Sequence, residues 1–101
     1  MKNEGHVKKA VRKILDTTPG CYHFMPPANG YGRSGIPDII GCVNGRFFGI
    51  ETKFGTNKPT ALQEREIQMI REANSIAWVV SDRNIAEWEV SFKQWADNVS
   101  S

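Results

Sequence analysis

Asn44-Gly45 is the feature that most constrains how this chain folds, because it joins two apolar segments, "PDIIGCV" and "RFFGIETK". An Asn-Gly pair between such segments is typical of a two-residue β-turn, in which both central residues need positive φ angles. A turn of that length pairs Val43 with Arg46, and each further pair lies one residue outward on both strands. The sequence therefore predicts an antiparallel hairpin of defined register.

The register places two acidic residues, Asp38 and Glu51, directly opposite each other. Opposed residues of an antiparallel pair have Cβ atoms ~4.5–5.5 Å apart, and like charges there destabilise the sheet. Protonation of one carboxyl, an arginine, or a divalent cation with oxygen ligands could offset the repulsion. Lys53 lies two residues beyond Glu51 and so shares its face. A bulge near Gly41 or Gly49 would shift this register.

Two carboxylates and a lysine in this arrangement have a definite chemical use. The carboxylates hold Mg²⁺ or Mn²⁺, which polarises a phosphate and lowers the pKa of bound water, while an ammonium group stabilises the developing negative charge. The alternative is a solvated strand edge with a Glu/Lys pair two residues apart. The opposition of Asp38 and Glu51 favours the metal site, and with it phosphodiester hydrolysis.

The composition predicts one domain within the cell. The 101 residues suffice for one core, and 40% hydrophobic with 24% charged residues is typical of a soluble globular protein. No apolar run approaches a membrane span, and "MKNEGHVKKAVRK" lacks the apolar segment of a secretory signal. Cys21 and Cys42 are expected to be reduced and buried, since neither has a CxxC partner or zinc-ligand spacing. We expect no membrane partner and no organic cofactor, and a viral or mobile-element origin is compatible with so small a domain.

The charge is distributed unevenly along the chain. Residues 1–58 hold nine basic and four acidic side chains, a net charge of +5, whereas residues 59–101 hold four basic and seven acidic ones, a net charge of −3. Such polarity suits an anionic partner such as nucleic acid, although a solvated lysine-rich helix face is the commoner explanation. The basic residues Lys8, Lys9, Arg12 and Lys58 are candidate DNA contacts.

The periodicities predict the element order helix, three strands, helix, strand, helix. A first amphipathic helix ends near 17–20, "CYHFM" and the hairpin supply three strands, and a second helix opens at Thr60. "IAWVVS" is an apolar strand, and a last helical segment follows, which Ser91 could divide by capping a separate helix. A mixed α/β sheet flanked by helices follows from this order.

The sequence resembles a known family of nucleases. Pro37-Asp38, the hairpin and Glu51-Thr52-Lys53 match the PD-(D/E)xK signature, and "GRSGIPDIIG" with Gln63 is similar to its VRR-NUC branch. The resemblance covers residues 4 to about 81 and implies a restriction-endonuclease-like fold. It also implies roles for six residues: Asp38, Glu51 and the Thr52 carbonyl as metal ligands, Glu4 as the acid of the leading helix, Lys53 acting on the nucleophile, and Gln63 supporting the site.

Several residues admit two interpretations. Gln63 could serve the site, complete a capping box with Thr60, or do both. Arg33 and Ser34, in the loop before Asp38, are placed to touch phosphates or else belong to a solvated loop. Tyr31 could stack on a base, although loop tyrosines are common.

Other side chains favour a structural role. His6 and His23 lack a nucleophile constellation, so they are interpreted as structural. The aromatic residues of the acidic half are interpreted as core, with a subunit interface as the lesser alternative: Trp78, Trp88, Phe92 and Trp95.

The resulting hypothesis is a metal-dependent DNA endonuclease. No sequence-reading module is evident, so substrate shape should govern specificity. One site per chain would require a homodimer to cut both strands of a Holliday junction or similar branch. A nicking or flap endonuclease without junction preference, and an inactive nuclease fold that only binds DNA, are the alternatives.

Overall fold

A computed structural model of the chain describes residues 1–27 and 32–100, so Tyr31 lies outside the described residues. The elements are α1 (Glu4–Asp16), β1 (Cys21–Phe24), β2 (Ile39–Val43), β3 (Arg46–Lys53), α2 (Ala61–Glu72), β4 (Ile76–Ser81) and α3 (Ile85–Ser100). This is the order that the periodicities predict.

The four strands form one mixed sheet in the order β1-β2-β3-β4. The first two neighbouring pairs are antiparallel, and β3 pairs with β4 in parallel. Asn44 and Gly45 have φ angles of 48° and 86°, as the turn requires. Val43 pairs with Arg46 and Ile39 with Ile50, so the predicted register is confirmed without a bulge along this ladder.

Helices cover both faces of the sheet. α1 and α3 pack on one face, where they enclose the core with alternate residues of the strands. The buried cluster consists of Val7, Val11, Leu15, Ile39, Val43, Phe48, Ile50, Val80, Trp88, Phe92 and Ala96. α2 lies on the opposite face, where the Ile70 side chain fills the space that a side chain at Gly49 would need.

The aromatic residues of the acidic half belong to the core. Trp78 contacts the rings of Trp88, Phe92 and Trp95 at centroid distances of 5.4–6.2 Å. Phe48 joins the same cluster, with its ring centroid 5.8 Å from that of Phe92. These edge-on contacts are favourable for aromatic quadrupoles. The rings therefore contact one another within one chain. α3 runs unbroken through Ser91, which does not cap a separate helix.

The helix ends follow the sequence closely, but the buried face of α2 does not. Thr60 and Gln63 form the predicted capping box, with each side chain bonded to the other's backbone. Leu62, Ile67, Ile70 and Ala73 recur at roughly helical spacing and predict the buried stripe of α2, but Leu62 is 50% exposed. Ile67 is buried as predicted, and Glu66 is buried as well, where it pairs with Arg33.

Two further details depart from expectation. β2 begins at Ile39 rather than at Pro37, since proline has no N–H to continue the ladder. Cys21 and Cys42 are free thiols, but both are only half-buried: Cys21 lies on the edge strand β1, and Cys42 alternates with the buried residues of β2. Within residues 1–27 and 32–100, no helix is long and apolar enough to span a membrane.

The close packing of β1 on β2 gives a test of the fold. A Cβ at Gly41 would lie 2.3 Å from the Tyr22 carbonyl oxygen and 2.6 Å from the Phe48 ring. We expect Gly41→Ala to lower the free energy of unfolding by about 1–3 kcal/mol in urea titrations, because backbone must move. Gly32→Ala is the matched control, since no atom of residues 1–27 or 33–100 lies within 4 Å of its Cβ position. Equal stabilities of the two variants would contradict this packing.

Candidate metal centre

Three carboxylates converge at the open end of the hairpin. Glu4, Asp38 and Glu51 each offer an oxygen, and these oxygens lie within 4.8 Å of one another. Glu4 comes from the first turn of α1, Asp38 from the residue before β2, and Glu51 from β3. α1 begins there because the Asn3 side chain caps it by accepting the His6 N–H at 2.9 Å. The helix therefore adds a third acid to the pair that the register predicts.

Asp38 is fixed by two hydrogen bonds from one residue. The Thr52 N–H donates to Oδ2 at 3.0 Å, and the Thr52 hydroxyl donates to the same oxygen at 2.6 Å. If the ladder continued in register, Thr52 would face Pro37. The Asp38 side chain thus takes a backbone donor at the point where the ladder ends, and its carboxylate is held in one orientation.

Glu51 is the most deeply buried member of the site. The residue is 1% exposed, and within the described part of the chain neither carboxylate oxygen has a hydrogen-bond partner. The Lys53 ammonium lies 3.4 Å from Oε2. Burial, followed by the Asp38 charge, raises the pKa of Glu51 from its ordinary 4.5 to about 7, although Lys53 acts in the opposite direction.

Lys8 brings a second ammonium group to the site from α1. It follows Glu4 by one helical turn, and its Nζ lies 3.9 Å from Asp38 Oδ1. Its side chain is 32% exposed, compared with 12% for that of Lys53. One lysine is therefore enclosed beside Glu51, while the other reaches the site from the solvent side.

The three acids fit a divalent cation. Hard cations such as Mg²⁺ and Mn²⁺ prefer carboxylate oxygens, and the two buried Glu51 oxygens, which have no hydrogen-bond partner among the described residues, are groups that such an ion would coordinate. The Thr52 N–H and hydroxyl are occupied by Asp38, which leaves its carbonyl as the group that the resemblance assigns to the metal.

An open cleft of about 570 Å³ is lined by Asp38, one of the three acids. Lys8 and Asp38 line one side, and the loop residues Arg33 and Ser34 line another. Both loop residues are exposed, so they are accessible to a substrate in the cleft. Arg33 is not free, however: its Nε donates to Glu66 Oε1 at 3.0 Å.

The remaining candidates lie outside this cluster. Lys9 is exposed on α1, Lys58 is exposed in the segment before α2, and Arg12 is half-buried one turn beyond Lys8. Gln63 uses its side-chain oxygen to cap α2. His6 and His23 make local contacts: His23 Nε2 lies 2.6 Å from Asp16, and His6 accepts the Lys2 N–H.

Sequence reasoning missed Glu66. This acid lies 33 residues from Arg33 along the chain, and no local motif links the two. The only signal in the sequence is the position of Glu66 next to Ile67, on the side of α2 that packs on the sheet. Because buried acids are rare without a partner, that position would have predicted a basic partner for Glu66.

The sheet order, the flanking helices and the position of the acids define a restriction-endonuclease-like α/β fold. A similar solved structure is described as a "VRR_NUC domain protein"; it is 18% identical, its match covers 93% of this chain and 88% of that one, and the TM-score is 0.70. The chain thus has the fold of a VRR_NUC domain. No family model and no curated protein sequence matches it.

Burial of Glu51 predicts a pH dependence of stability in EDTA. Because the folded protein binds the Glu51 proton more tightly than the unfolded chain, the contribution of Glu51 to stability is fully present below pH 4.5 and is lost as the pH rises to about 7. The loss amounts to about 3 kcal/mol. We expect Glu51→Gln to gain stability relative to wild type across this range, as measured by urea unfolding at several pH values.

Glu64→Gln is the control for this experiment, since Glu64 is an exposed acid on α2. Its stability difference from wild type should remain constant with pH. A constant difference for Glu51→Gln as well would show that Glu51 ionises normally.

Proposed function

We propose that this protein is a metal-dependent DNA endonuclease that hydrolyses phosphodiester bonds. The observation that carries the proposal is the buried Glu51 carboxylate, which lacks a hydrogen-bond partner among the described residues and lies beside Asp38, Glu4 and the Lys53 ammonium. A protein that only bound DNA would gain nothing from three acids there, because carboxylates repel DNA phosphates. The likeness of the fold to a VRR_NUC domain supports the same assignment.

The residues divide the chemistry between them. Asp38, Glu51, Glu4 and the Thr52 carbonyl would hold Mg²⁺ or Mn²⁺, which when bound supplies a water of lowered pKa and polarises the phosphate. Thr52 keeps the Asp38 carboxylate in the orientation that binding requires. The enclosed Lys53 ammonium stabilises the attacking oxygen or the negative charge that develops on the phosphate. Gln63 supports the site through the helix end that it caps.

DNA would follow the cleft that leads to these acids. Lys8, Arg33 and Ser34 line the cleft and offer donors for phosphate oxygens. Lys9, Arg12 and Lys58 would extend this basic surface along α1 and before α2. Lys8 is the nearest of these cations to the metal ligands, so it would contact the phosphate next to the cleaved bond.

Substitution of Lys53 separates metal binding from catalysis. We expect Lys53→Ala to lose at least about a thousandfold in cleavage rate with Mg²⁺, because the buried ammonium acts on developing charge. It should still bind Mn²⁺ in calorimetric titrations, since it is not a ligand. Asp38→Ala should lose both properties. Lys93→Ala, which removes a lysine paired with Glu89 on α3, is the control.

Two outcomes would count against the proposal. One is wild-type cleavage rates for Lys53→Ala. The other is the absence of Mn²⁺ binding by the wild-type protein, which would favour a DNA-binding module without activity.

We further propose a homodimer that acts on Holliday junctions or other branched DNA. One chain carries one cluster of this kind among its described residues, so cleavage of two strands at a branch requires a second copy. α2 covers only part of the sheet face on which it packs, and the uncovered part offers an apolar surface for that copy. Tyr22, Phe24 and Phe47 lie on it with 40–66% exposure, and the Tyr22 and Phe24 rings are 6.2 Å apart.

A charge on this surface should separate the chains. We expect wild-type protein at micromolar concentration to have twice the 11.4 kDa chain mass in light scattering, and Tyr22→Glu to have the monomer mass. Burial of an unpaired carboxylate at an apolar interface accounts for the change. Val90→Glu, at an exposed apolar position on α3, should remain dimeric.

Comparison of cleavage substrates then tests the preference for branches. Junctions should be cut faster than flaps or plain duplex at equal concentration. Equal rates on all three would favour a nicking or flap enzyme, and a monomeric wild type would contradict the dimer.

A further inference from the structure

Arg33 and Glu66 form an ion pair of unusual asymmetry at the rim of the cleft. The Arg33 side chain is 68% exposed, whereas that of Glu66 is 8% exposed. Arg33 Nε donates to Glu66 Oε1 at 3.0 Å, and the partners lie on different elements. A buried carboxylate is costly unless it is paired, so Glu66 has a strong preference for holding this arginine.

The loop that carries Arg33 is also held against α2 by its backbone. A Cβ at Gly35 would lie 2.4 Å from the Leu62 carbonyl oxygen, and Gly35 has a φ of 88°. Leu62 and Glu66 are one helical turn apart, so both attachments lie along the same side of α2. Further on, Pro37 lies over Gly49, where a Cβ would meet its ring at 3.2 Å. The loop is thus fixed on α2 and β3 just before it reaches Asp38.

The geometry of the pair leaves most of the guanidinium available. An arginine side chain has five N–H donors, of which Nε provides one and the two terminal nitrogens provide four. Glu66 takes the Nε donor, and among the described residues no hydrogen bond to the Arg33 Nη atoms is found. The terminal edge of a guanidinium matches two oxygens of a phosphate. Arg33 lines the same cleft as Lys8 and Asp38.

We propose that Glu66 is a positioning residue that orients Arg33 to bind a DNA phosphate in the cleft. The proposal rests on the proposed nuclease function and adds a residue that does not itself touch DNA. Glu66 holds the Nε side of the guanidinium, and the Nη side faces the substrate. The Arg33 side chain is then already ordered before DNA binds, so binding does not lose the entropy of ordering it.

This role predicts an effect opposite in sign to simple electrostatics. Removal of an acid from a DNA-binding protein should tighten DNA binding, because the net charge becomes more positive. If Glu66 positions Arg33, its removal should weaken binding. The number of phosphates contacted sets the salt dependence, so loss of the Arg33 contact should reduce the slope of log K against log salt by about 0.9.

The experiment measures binding of a labelled duplex oligonucleotide by fluorescence anisotropy, in EDTA and at several salt concentrations. We expect Glu66→Ala and Arg33→Ala each to raise Kd about tenfold and to reduce the salt slope by about 0.9. The double variant should be no weaker than either single one. Glu66→Gln keeps an oxygen that can accept from Nε, so it should recover most of the affinity.

Glu64→Ala is the matched control, because it removes an exposed acid from the same helix. It should bind DNA as tightly as wild type or slightly more tightly. Glu66→Ala binding that resembles Glu64→Ala would overturn the proposal. So would additive losses in the double variant.

Arg33→Lys tests the proposal without altering the buried acid. A lysine ammonium can pair with Glu66 or with a phosphate, but it lacks the fork that allows both. Its Kd should therefore approach that of Arg33→Ala, and a wild-type Kd would overturn the proposal even if Glu66→Ala failed to fold. Wild-type protein that neither cuts nor binds DNA would refute the nuclease function, and the role of Glu66 with it. Wild-type cleavage with unaffected Glu66 variants would refute only the role of Glu66.

Discussion

The repulsion between Asp38 and Glu51 is the constraint on which the rest of the site depends. The two carboxylates lie one position beyond Ile39 and Ile50, the last pair of the hairpin ladder, their oxygens are within 4.8 Å of each other, and Glu51 is almost completely buried. Lys53 and Lys8 each approach one of them, and Thr52 donates two hydrogen bonds to Asp38. Burial, and after it the Asp38 charge, keeps the pKa of Glu51 raised to about 7 despite these partners. The chain alone therefore compensates the paired charge only in part, and a divalent cation would complete the compensation.

The fold holds this unfavourable pair by placing it at the end of well-packed elements. The Asn44-Gly45 turn sets the register at one end of the hairpin, and the acids lie at the other. The core between the sheet and the helices α1 and α3 fixes the angle at which α1 meets the sheet. Glu4 and Lys8 follow from that packing, since both lie within two turns of the start of α1. A site on strand ends and a helix start is held more rigidly than one on loops alone.

Local rules explain which parts of this structure the sequence predicts. The hairpin register and the capping box of Thr60 and Gln63 depend on residues within a few positions of each other, and both are confirmed. The burial of Glu66 and the exposure of Leu62 depend on a loop that packs on α2 from elsewhere in the chain, and the periodicity of α2 does not contain that information. The bonds from Thr52 to Asp38 are similar, because they form beyond the last ladder pair, between a strand residue and the side chain of a residue outside β2.

The two cations that line the cleft differ in how firmly a carboxylate partner holds them, a difference that the net charge does not reveal. Both Lys8 and Arg33 already have a carboxylate partner, Asp38 and Glu66 respectively. The Lys8 pair is long at 3.9 Å and half-exposed, so a phosphate could compete for the ammonium at little cost. The Arg33 pair is short and its acid is buried, so the arginine would be retained by Glu66 while its outer edge binds. One cation is thus exchangeable and the other is fixed in orientation, a distinction that follows from the burial of the partner acid and not from the number of charges.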